Sequence, residues 1–511
     1  MALAQVMTKP NLGIAAAGAL LILGAVASSS FAETPTLTVL HSFDGVDGAN
    51  PQAGMVQATN GYLYGVTWAG GANGQGTIFR ITPSGAFTPL YSFCSLSGCA
   101  DGAHPYGNLI QATNGDLYGT TAGGGNNNDP NCANSGFNGC GTIFKITPSG
   151  EFTTLHAFCS QSECADGYFP IGALVQADNG DLYGTTSGGG NDFGTIFKLT
   201  PVGTFTTLYT FCPELGCPNG QEPYGGLALA GNGNLYGTAA DGGANGWGTI
   251  FKITPSGVLT TLHSFCSQTG CSDGSAPAWG LVQANNGSLY GTTFFGGANS
   301  SLPTGSPYGT LFEVTPSGAL TTLYSFCSQA GCTDGYSSYG GLMQATDQNV
   351  YGSTNFGGAS STCVDGCGTL YRVTPSGAFS TIYNFCSQPG CTDGASPFGA
   401  LVQHTNGFLF GTTYGGGANG YGTVYKLAAG LGRFVEARPN LGKVGATITI
   451  LGSLLSGATS VSFNHVASAF TVVSANEVTA VIPDGATTGE IRVIVPGGVT
   501  LLSNKVFEIV Q

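Results

Sequence analysis

Two short strings recur along this chain, and this repetition constrains the fold more than any other feature. The string Gly-Thr-[Ile/Val/Leu]-[Phe/Tyr] occurs seven times between Gly76 and Gly422, at intervals of 53 to 65 residues. A Tyr-Gly or Phe-Gly pair that follows a Leu or Val, first at Tyr64 and last at Phe410, occurs once in each of the seven units. Such a chain is expected to fold as similar units that pack against one another.

Each unit divides into four predicted strands, which we call a, b, c and d. In the second unit they are Asn108–Ala112, Leu117–Thr121, Thr142–Thr147 and Phe152–Phe158. Asn-Gly separates a from b in six of the seven units, which suits a type I′ hairpin, and Thr-Pro-x-Gly separates c from d, which suits a type I turn. Four short antiparallel strands repeated in this way are typical of a β-propeller blade.

The two ends of the repeat array predict that it closes into a ring. Strands a, b and c occur seven times, but no d strand follows the last c strand, Gly422–Leu427. A d-like strand, Thr36–Phe43, instead precedes the first a strand. This strand would complete the last blade and remove an exposed sheet edge. We therefore predict an all-β protein, a seven-bladed β-propeller closed by its N-terminal strand.

The repeat resembles a known family. Its pattern is G-T-I-F-K-I-T-P-S-G, followed by L-Y-S-F and by Q-A-x-N-G-x-L-Y-G-T-T. This pattern is similar to the GloVer-type tandem repeat of bacterial secreted proteins, and it covers about Thr36 to Leu427. After Gly430 the repeats stop, and short strand-like segments predict an immunoglobulin-like β-sandwich. Four of these segments resemble the IPT/TIG domain, which implies a spacer or interaction module: Gly445–Gly452, Ala458–Asn464, Val478–Pro483 and Thr488–Gly498.

The N-terminus has the pattern of a secretory signal peptide. Lys9 is followed by an apolar run from Leu12 to about Val26 and by the small-x-small site Ser30-Phe31-Ala32. The run is short for a membrane span. We predict a signal peptide at residues 1–32, a propeller at 33–430 and the sandwich at 431–511. The mature protein is then secreted, extracellular or at the cell surface, with the periplasm as an alternative, and is expected to be a monomer without a membrane span.

Cysteine usage agrees with export, because the 16 cysteines form eight local pairs that suit disulfides in an oxidising compartment. Zinc binding is the alternative, but it usually needs four ligands brought together, and these pairs have no regular His partner. The predicted pairs are Cys94/Cys99, Cys132/Cys140, Cys159/Cys164, Cys212/Cys217, Cys266/Cys271, Cys327/Cys332, Cys363/Cys367 and Cys386/Cys391.

Charge excludes one class of partner and leaves two minor hypotheses open. A net charge of −14 with only 12 Lys and Arg argues against nucleic acid binding. Six basic residues share one repeat position, where they act as strand-end charges or hold an acidic glycan: Arg80, Lys145, Lys198, Lys252, Arg372 and Lys426, with Glu313 in the fifth unit. An Asp-Gly pair recurs between d and a, and it is either a turn or a Ca²⁺ site: Asp101, Asp166, Asp273, Asp334 and Asp393, with Asn219 in the remaining unit. No other cofactor or metal is predicted.

The face formed by the d-to-a and b-to-c connections, which we call the variable face, is the candidate binding surface. Its b-to-c loops vary from 7 to 19 residues, whereas the opposite, uniform face has constant tight turns. Aromatic residues on the variable face could stack on sugar rings, or they could fill gaps between blades. They are Trp68, Trp247, Trp279, Tyr106, Phe294, Phe295, Tyr308, Phe356, Tyr414 and Tyr421.

Support for catalysis is thin. His41, His156 and His263 share a d-strand position with tyrosines, which favours packing over proton transfer. Glycoside hydrolysis needs two placed carboxylates, and nothing in the sequence pairs the acids that occur once: Asp129, Asp192, Glu222, Asp241 and Asp365. The leading hypothesis is a non-catalytic binding protein for an extracellular glycan or protein. The alternatives are a secreted carbohydrate-active enzyme, hydrolase or lyase, and a structural surface or matrix protein.

Overall fold

The structure, a computed structural model, describes residues 35–125, 132, 137–277, 279–299 and 308–510. It is an all-β fold, and the residues from Thr34 onward form one compact unit. The predicted signal peptide lies outside the described residues.

The repeat region, as described, contains seven antiparallel sheets of four or five strands. The first sheet is β2 (Val56–Gln57), β3 (Leu63–Thr67), β4 (Thr77–Ile81) and β5 (Phe87–Ser92); the second is β6 (Ala103–Pro105), β7 (Ile110–Gln111), β8 (Leu117–Gly123), β9 (Thr142–Ile146) and β10 (Phe152–Ala157). The third is β11 (Val175–Gln176), β12 (Leu182–Thr186), β13 (Thr195–Leu199) and β14 (Phe205–Thr210); the fourth is β15 (Ala228–Leu229), β16 (Leu235–Ala239), β17 (Thr249–Ile253) and β18 (Leu259–Ser264). The fifth is β19 (Val282–Gln283), β20 (Leu289–Thr292), β21 (Thr310–Val314) and β22 (Leu320–Ser325); the sixth is β23 (Met343–Gln344), β24 (Val350–Thr354), β25 (Thr369–Val373) and β26 (Phe379–Asn384). The seventh is β27 (Val402–Gln403), β28 (Leu409–Thr413), β29 (Thr423–Ala428) and β1 (Thr36–Ser42).

The predicted a strand is the one that the structure shortens most. In the second unit only Ile110–Gln111 is paired as strand, whereas Asn108–Ala112 was expected. The b, c and d strands lie within two residues of the predicted bounds. The residues before the a strand instead turn toward the other repeats, and this difference matters for the site described below.

The N-terminal strand completes the last sheet, as its sequence predicts. β1 pairs antiparallel with β29, with Thr36 opposite Ala428 and Ser42 opposite Thr423. The His41 ring stacks on Phe87 of the first sheet, with 3.8 Å between ring centroids. The start of the chain therefore joins the seventh sheet and also contacts the first.

One side-chain hydrogen bond recurs between consecutive sheets. A b-strand hydroxyl, such as Thr185 Oγ1, donates to a main-chain oxygen before the next a strand, here Gly225 O at 2.9 Å. Thr412 Oγ1 makes the same bond to Ala53 O at 2.8 Å, and this bond connects the seventh sheet to the first. The last and first sheets are thus linked by the same bond as five other consecutive pairs; the first-to-second pair lacks it because Val66 stands at the hydroxyl position.

The predicted cysteine pairs are bonded, with Cα–Cα distances of 4.0 to 5.3 Å, which confirms the disulfide interpretation. The eight disulfides are Cys94–Cys99, Cys132–Cys140, Cys159–Cys164, Cys212–Cys217, Cys266–Cys271, Cys327–Cys332, Cys363–Cys367 and Cys386–Cys391. Closing a six-residue loop contributes about 2 kcal/mol in the loop-entropy account. The sulfurs of Cys363, Cys367, Cys386 and Cys391 lie within 4.8 Å of one another, but they form two neighbouring disulfides.

The loop that Cys217 closes differs from the other five loops of the same C-x4-C spacing. Those five contain a 3-10 turn that ends at the second cysteine, whereas the described loop before Cys217 has an ordinary turn. Pro213 stands where the other loops have a serine, so this loop lacks the serine N–H and hydroxyl that bond the loop aspartate elsewhere. Asn219 replaces that aspartate and donates to the Tyr209 hydroxyl at 3.1 Å. Cys217 is nevertheless buried and bonded to Cys212, so its predicted pairing holds although the six loops are not alike.

The C-terminal region has its own core between two sheets. One has the order β30 (Glu436–Arg438), β32 (Thr447–Leu451), β36 (Glu477–Val481), β35 (Phe470–Val472), and the other β34 (Val466–Ala467), β33 (Ser460–Phe463), β37 (Ile491–Val495), β38 (Val499–Leu502). A parallel pair, β31 (Leu441–Gly442) and β39 (Glu508–Ile509), is added to them. Alternate residues such as Ile450, Val461 and Val493 are buried in this core, as expected for strands covered on one face.

The C-terminal region contacts the uniform face of the repeat region. Ser453 Oγ lies 2.8 Å from Thr405 Oγ1 in the a-to-b turn of the seventh sheet. Asn285 Nδ2 donates to Asn504 O at 3.0 Å, and Arg438 Nη1 lies 3.5 Å from Gln111 Oε1. In the described part of the chain, these contacts all lie on the uniform face.

Candidate ligand-binding pocket

The segments that precede the seven a strands line one cavity of about 190 Å³. Each repeat contributes the residues just after its d-to-a loop. The glycine in these segments permits the close approach, because a Cβ at Gly107 would lie 2.8 Å from Gly172 O and one at Gly225 would lie 2.5 Å from Gly280 N. The side chains contributed are Gln52, Tyr106, Ile171, Tyr224, Trp279, Tyr339 and Phe398.

Aromatic rings form much of the wall of this pocket. The Tyr106 and Trp279 rings are parallel within 3°, with 6.2 Å between centroids. Tyr339 lies 5.5 Å from Trp279 and 5.0 Å from Phe398, measured between ring centroids. Burial, and next the neighbouring Tyr339, raises the pKa of Tyr106 to about 12, so its hydroxyl stays protonated. The pocket thus offers ring faces and neutral polar groups.

The structure separates the predicted aromatic residues into several groups. Tyr106 and Trp279 line the pocket, while Phe294 and Tyr414 contact its rings Tyr339 and Phe398. The others are distributed as follows: Trp68 stacks on His104, Phe295 makes an edge contact with Phe294, Tyr308 and Phe356 lie against Tyr336, and Trp247 and Tyr421 lie in b-to-c loops. Tyr421 is exposed, at 45%, whereas the other nine rings are half-buried, which fits the gap-filling alternative for those that contact other rings.

Sequence reasoning missed Tyr224, Tyr339 and Phe398, which line the pocket beside Tyr106 and Trp279. The signal was an aromatic residue directly before glycine at the end of five of the seven d-to-a loops; Gln52 and Ile171 stand at this place in the other two. Trp279 stands one place later than the others relative to the following a strand, and its indole Nε1 is buried without a hydrogen-bond partner among the described residues.

A recurring backbone conformation lies just upstream of the pocket. The residue six positions before the start of each a strand has a positive φ, between 51° and 57°, in all seven repeats. Non-glycine residues rarely adopt this conformation. The same backbone therefore carries different side chains in the different repeats: Asn50, His104, Phe169, Glu222, Ala276, Ser337 and Ser396.

Two of the acids that occur once meet beside the pocket. The Tyr224 hydroxyl donates to Glu222 Oε2 at 2.6 Å, and Asp241 pairs through its backbone with Gln221, next to Glu222. Burial, and next the charge of Glu222, raises the pKa of Asp241. Asp192 and Asp365 lie in the loops of other repeats, and Asp129 lies outside the described residues. No local pattern indicated this pairing, because the two residues come from different connections.

The recurring Asp-Gly aspartates are used inside their own loops. Asp166 is buried and accepts bonds from Ser160 N at 3.1 Å, Ser160 Oγ at 2.7 Å and Gln161 N at 3.3 Å, while His156 Nε2 lies 3.0 Å away. Tyr324 makes the equivalent contact to Asp334. His and Tyr therefore interchange because either can donate to the carboxylate. The arrangement fits the turn interpretation better than a Ca²⁺ site, because both carboxylate oxygens are used within the loop.

The basic residues at the shared c-strand position lie beside the a-to-b turns, away from the pocket. Lys145 Nζ is 3.4 Å from Asp116 Oδ2, and Lys198 Nζ is 3.8 Å from Asp181 Oδ2. Lys426 lies over the Phe408 ring at 5.0 Å. These three lysines contact residues of their own hairpins, which fits separate surface charges better than a shared anion site.

The fold and this pocket define an all-β tandem-repeat protein with a small C-terminal β-domain. A family model described as the Gloeobacter/Verrucomicrobia repeat matches residues 13–131, 131–301 and 266–438, and an IPT/TIG domain model matches residues 436–509. The chain belongs to the Gloeobacter/Verrucomicrobia repeat family and carries a C-terminal IPT/TIG domain, which confirms both resemblances. No curated protein matches the sequence.

Several solved structures are similar to this chain. A protein described as the extracellular domain of a hybrid two-component system from B. thetaiotaomicron has a TM-score of 0.48 and 10% identity, over 94% of this chain and 60% of that one. The chain thus spans 60% of the length of that protein. Proteins described as 6-phosphogluconolactonases from Bacteroides fragilis and Bacteroides uniformis have TM-scores of 0.41 and 0.40, each at 14% identity; the matches cover 66% and 71% of this chain and 83% and 89% of theirs.

Eight disulfides fit an oxidising, extracellular compartment. Within the part of the chain that the structure describes, there is no helix long and apolar enough to span a membrane.

Proposed function

We propose that this is a secreted, non-catalytic protein that binds an extracellular glycan in the central pocket of its variable face. In this proposal residues 1–32 are a signal peptide, residues 33–430 are a closed seven-bladed β-propeller, and residues 431–511 are an immunoglobulin-like sandwich. The recurring inter-sheet hydrogen bonds, including Thr412 to Ala53, support closure of the ring.

One observation carries the functional proposal: the repeats converge on a pocket lined by aromatic rings with neutral polar groups. The apolar faces of sugar rings pack against aromatic faces, and amide groups such as Gln52 and Asn108 can bond hydroxyls. Small-molecule sites are typically concave and mostly apolar, with a few polar groups that set orientation. The described contacts of the C-terminal domain lie on the opposite face, so they do not cover this pocket.

Replacing Trp279 by Ala is expected to reduce glycan retention at least about tenfold, the loss of one large aromatic contact. The protein from Glu33 onward is incubated with soluble and insoluble polysaccharides, and each sample is scored for retained protein and for released sugar. Trp247→Ala is the matched control, because Trp247 lies in the b-to-c loop of the fourth unit and does not line the pocket. Equal loss in both variants, or in neither, would contradict the proposed site.

The same assay tests a second candidate function, a carbohydrate-active enzyme. The neighbouring Glu222 and Asp241 favour it, because burial, and next the charge of Glu222, raises the pKa of Asp241, and a carboxyl group with a raised pKa suits a general acid. Sugar release that disappears in Asp241→Asn would establish this candidate. Absence of both retention and release would leave a protein partner or a structural role.

A further inference from the structure

Glu222, which is bonded to the lining residue Tyr224, and nearby Asp241 place negative charge behind the pocket wall, although neither acid itself lines the cavity. Glu222 accepts the Tyr224 hydroxyl bond, and Asp241 is close enough for the two carboxylates to affect each other. Neither acid forms an ion pair in the described part of the chain. The described residues that line the pocket include no Lys or Arg. Partly buried carboxylates without a counter-charge are costly, so a bound cation would stabilise them.

The aromatic wall attracts the same kind of group. The centroid of the Trp279 ring lies 6.2 Å from that of Tyr106 and 5.5 Å from that of Tyr339. Ring faces carry the negative part of the aromatic quadrupole and attract organic cations, most strongly when water is excluded. Aromatic rings and carboxylates are thus two independent features that select positive charge.

We propose that the pocket binds an alkylammonium group, held against the aromatic rings and near Glu222, so that the preferred glycan carries free amino sugars. This inference rests on the proposed glycan-binding function and names its ligand class. A neutral N-acetylated sugar keeps the stacking but loses the charge, whereas an acidic sugar meets repulsion from Glu222 and Asp241.

Titration calorimetry on the protein from Glu33 onward tests this preference. The ligands are a glucosamine oligosaccharide, the fully N-acetylated oligosaccharide of equal length, and tetramethylammonium chloride. The amino oligosaccharide is expected to bind about tenfold more tightly than the acetylated one, within the usual range for a desolvated cation–aromatic site. This difference should shrink as salt concentration rises. Tetramethylammonium could bind as tightly as the amino oligosaccharide. That result would support the alkylammonium site, and it would indicate that the natural ligand is a cation other than a sugar.

Glu222→Gln is expected to remove most of the preference for the amino oligosaccharide and to leave binding of the acetylated one unchanged. Asp192→Asn is the matched control, since neither acid lines the pocket but Glu222 bonds to the lining side chain Tyr224, whereas Asp192 lies in the b-to-c loop of the third unit. Equal affinity of wild type for both oligosaccharides, or a preference that persists in Glu222→Gln, would overturn the inference while the glycan-binding proposal stands. Failure of every polysaccharide and oligosaccharide to bind would overturn both.

Discussion

A chain that begins at Asp44, and so lacks β1, is expected to lose more than about 5 kcal/mol of unfolding free energy, from the lost backbone bonds and buried side chains together. β1 supplies the outer strand of the seventh sheet through its pairing with β29. Its His41 ring also covers Phe87 of the first sheet. Removing β1 leaves β29 as an open edge and exposes apolar surface, so aggregation should accompany the loss of stability.

Urea unfolding, followed by tryptophan fluorescence, measures this effect. The control is a chain that begins at Thr34 and retains β1. A synthetic peptide of residues 35–43 added to the truncated chain should restore stability in a concentration-dependent way. An unchanged unfolding midpoint in the truncated chain would contradict the role assigned to β1.

Asp166→Ala is expected to cost about 3 kcal/mol, because it removes a buried carboxylate that accepts several hydrogen bonds and leaves their donors unpaired. Burial alone would raise the pKa of Asp166, but the bonds from His156, Ser160 and Gln161 outweigh it and hold the pKa below its usual value. Glu151→Ala, at an exposed turn position, is the control and should change stability little. A similar cost for both variants would contradict the assignment.

The same aspartates predict how stability depends on pH. The pKa values of Asp101, Asp166 and Asp273 are all lowered in the folded protein, by hydrogen bonds that exceed the opposing effect of burial. A lowered folded-state pKa adds stability above the unfolded-state pKa, and this stability is lost as pH falls through the folded-state value. Unfolding free energy should therefore decline below about pH 4, near the unfolded Asp pKa, and Asp166→Ala should weaken that decline. An equally steep decline in the variant would count against this account.

The features that the sequence predicts well are those that repeat or lie close together in the chain. The b, c and d strands carry closely similar residues in every unit, and the paired cysteines are only four to eight positions apart. The role of β1 was predictable because Thr36–Phe43 matches the d strands elsewhere. Each of these inferences needs only local pattern or comparison between repeats.

The pocket was harder to predict because it depends on how distant repeats converge. Tyr106 and Trp279 are 173 positions apart yet have parallel rings. Glu222 and Asp241 belong to different connections of the fourth unit, and only the pairing of those connections brings them together. The exchange of His for Tyr at one d-strand position likewise has a three-dimensional cause. His156 contacts Asp166 and Tyr324 contacts Asp334, and these two aspartates occupy equivalent positions in their loops.

Amide hydrogen exchange, with and without a retained oligosaccharide, tests most directly whether ligand binds where the repeats converge. The account predicts slower exchange in the segments around Tyr106, Tyr224, Trp279, Tyr339 and Phe398, and no change in the a-to-b turns of the uniform face. Slower exchange confined to the b-to-c loops at Trp247 and Tyr421, or to the uniform face, would contradict the central pocket as the binding site.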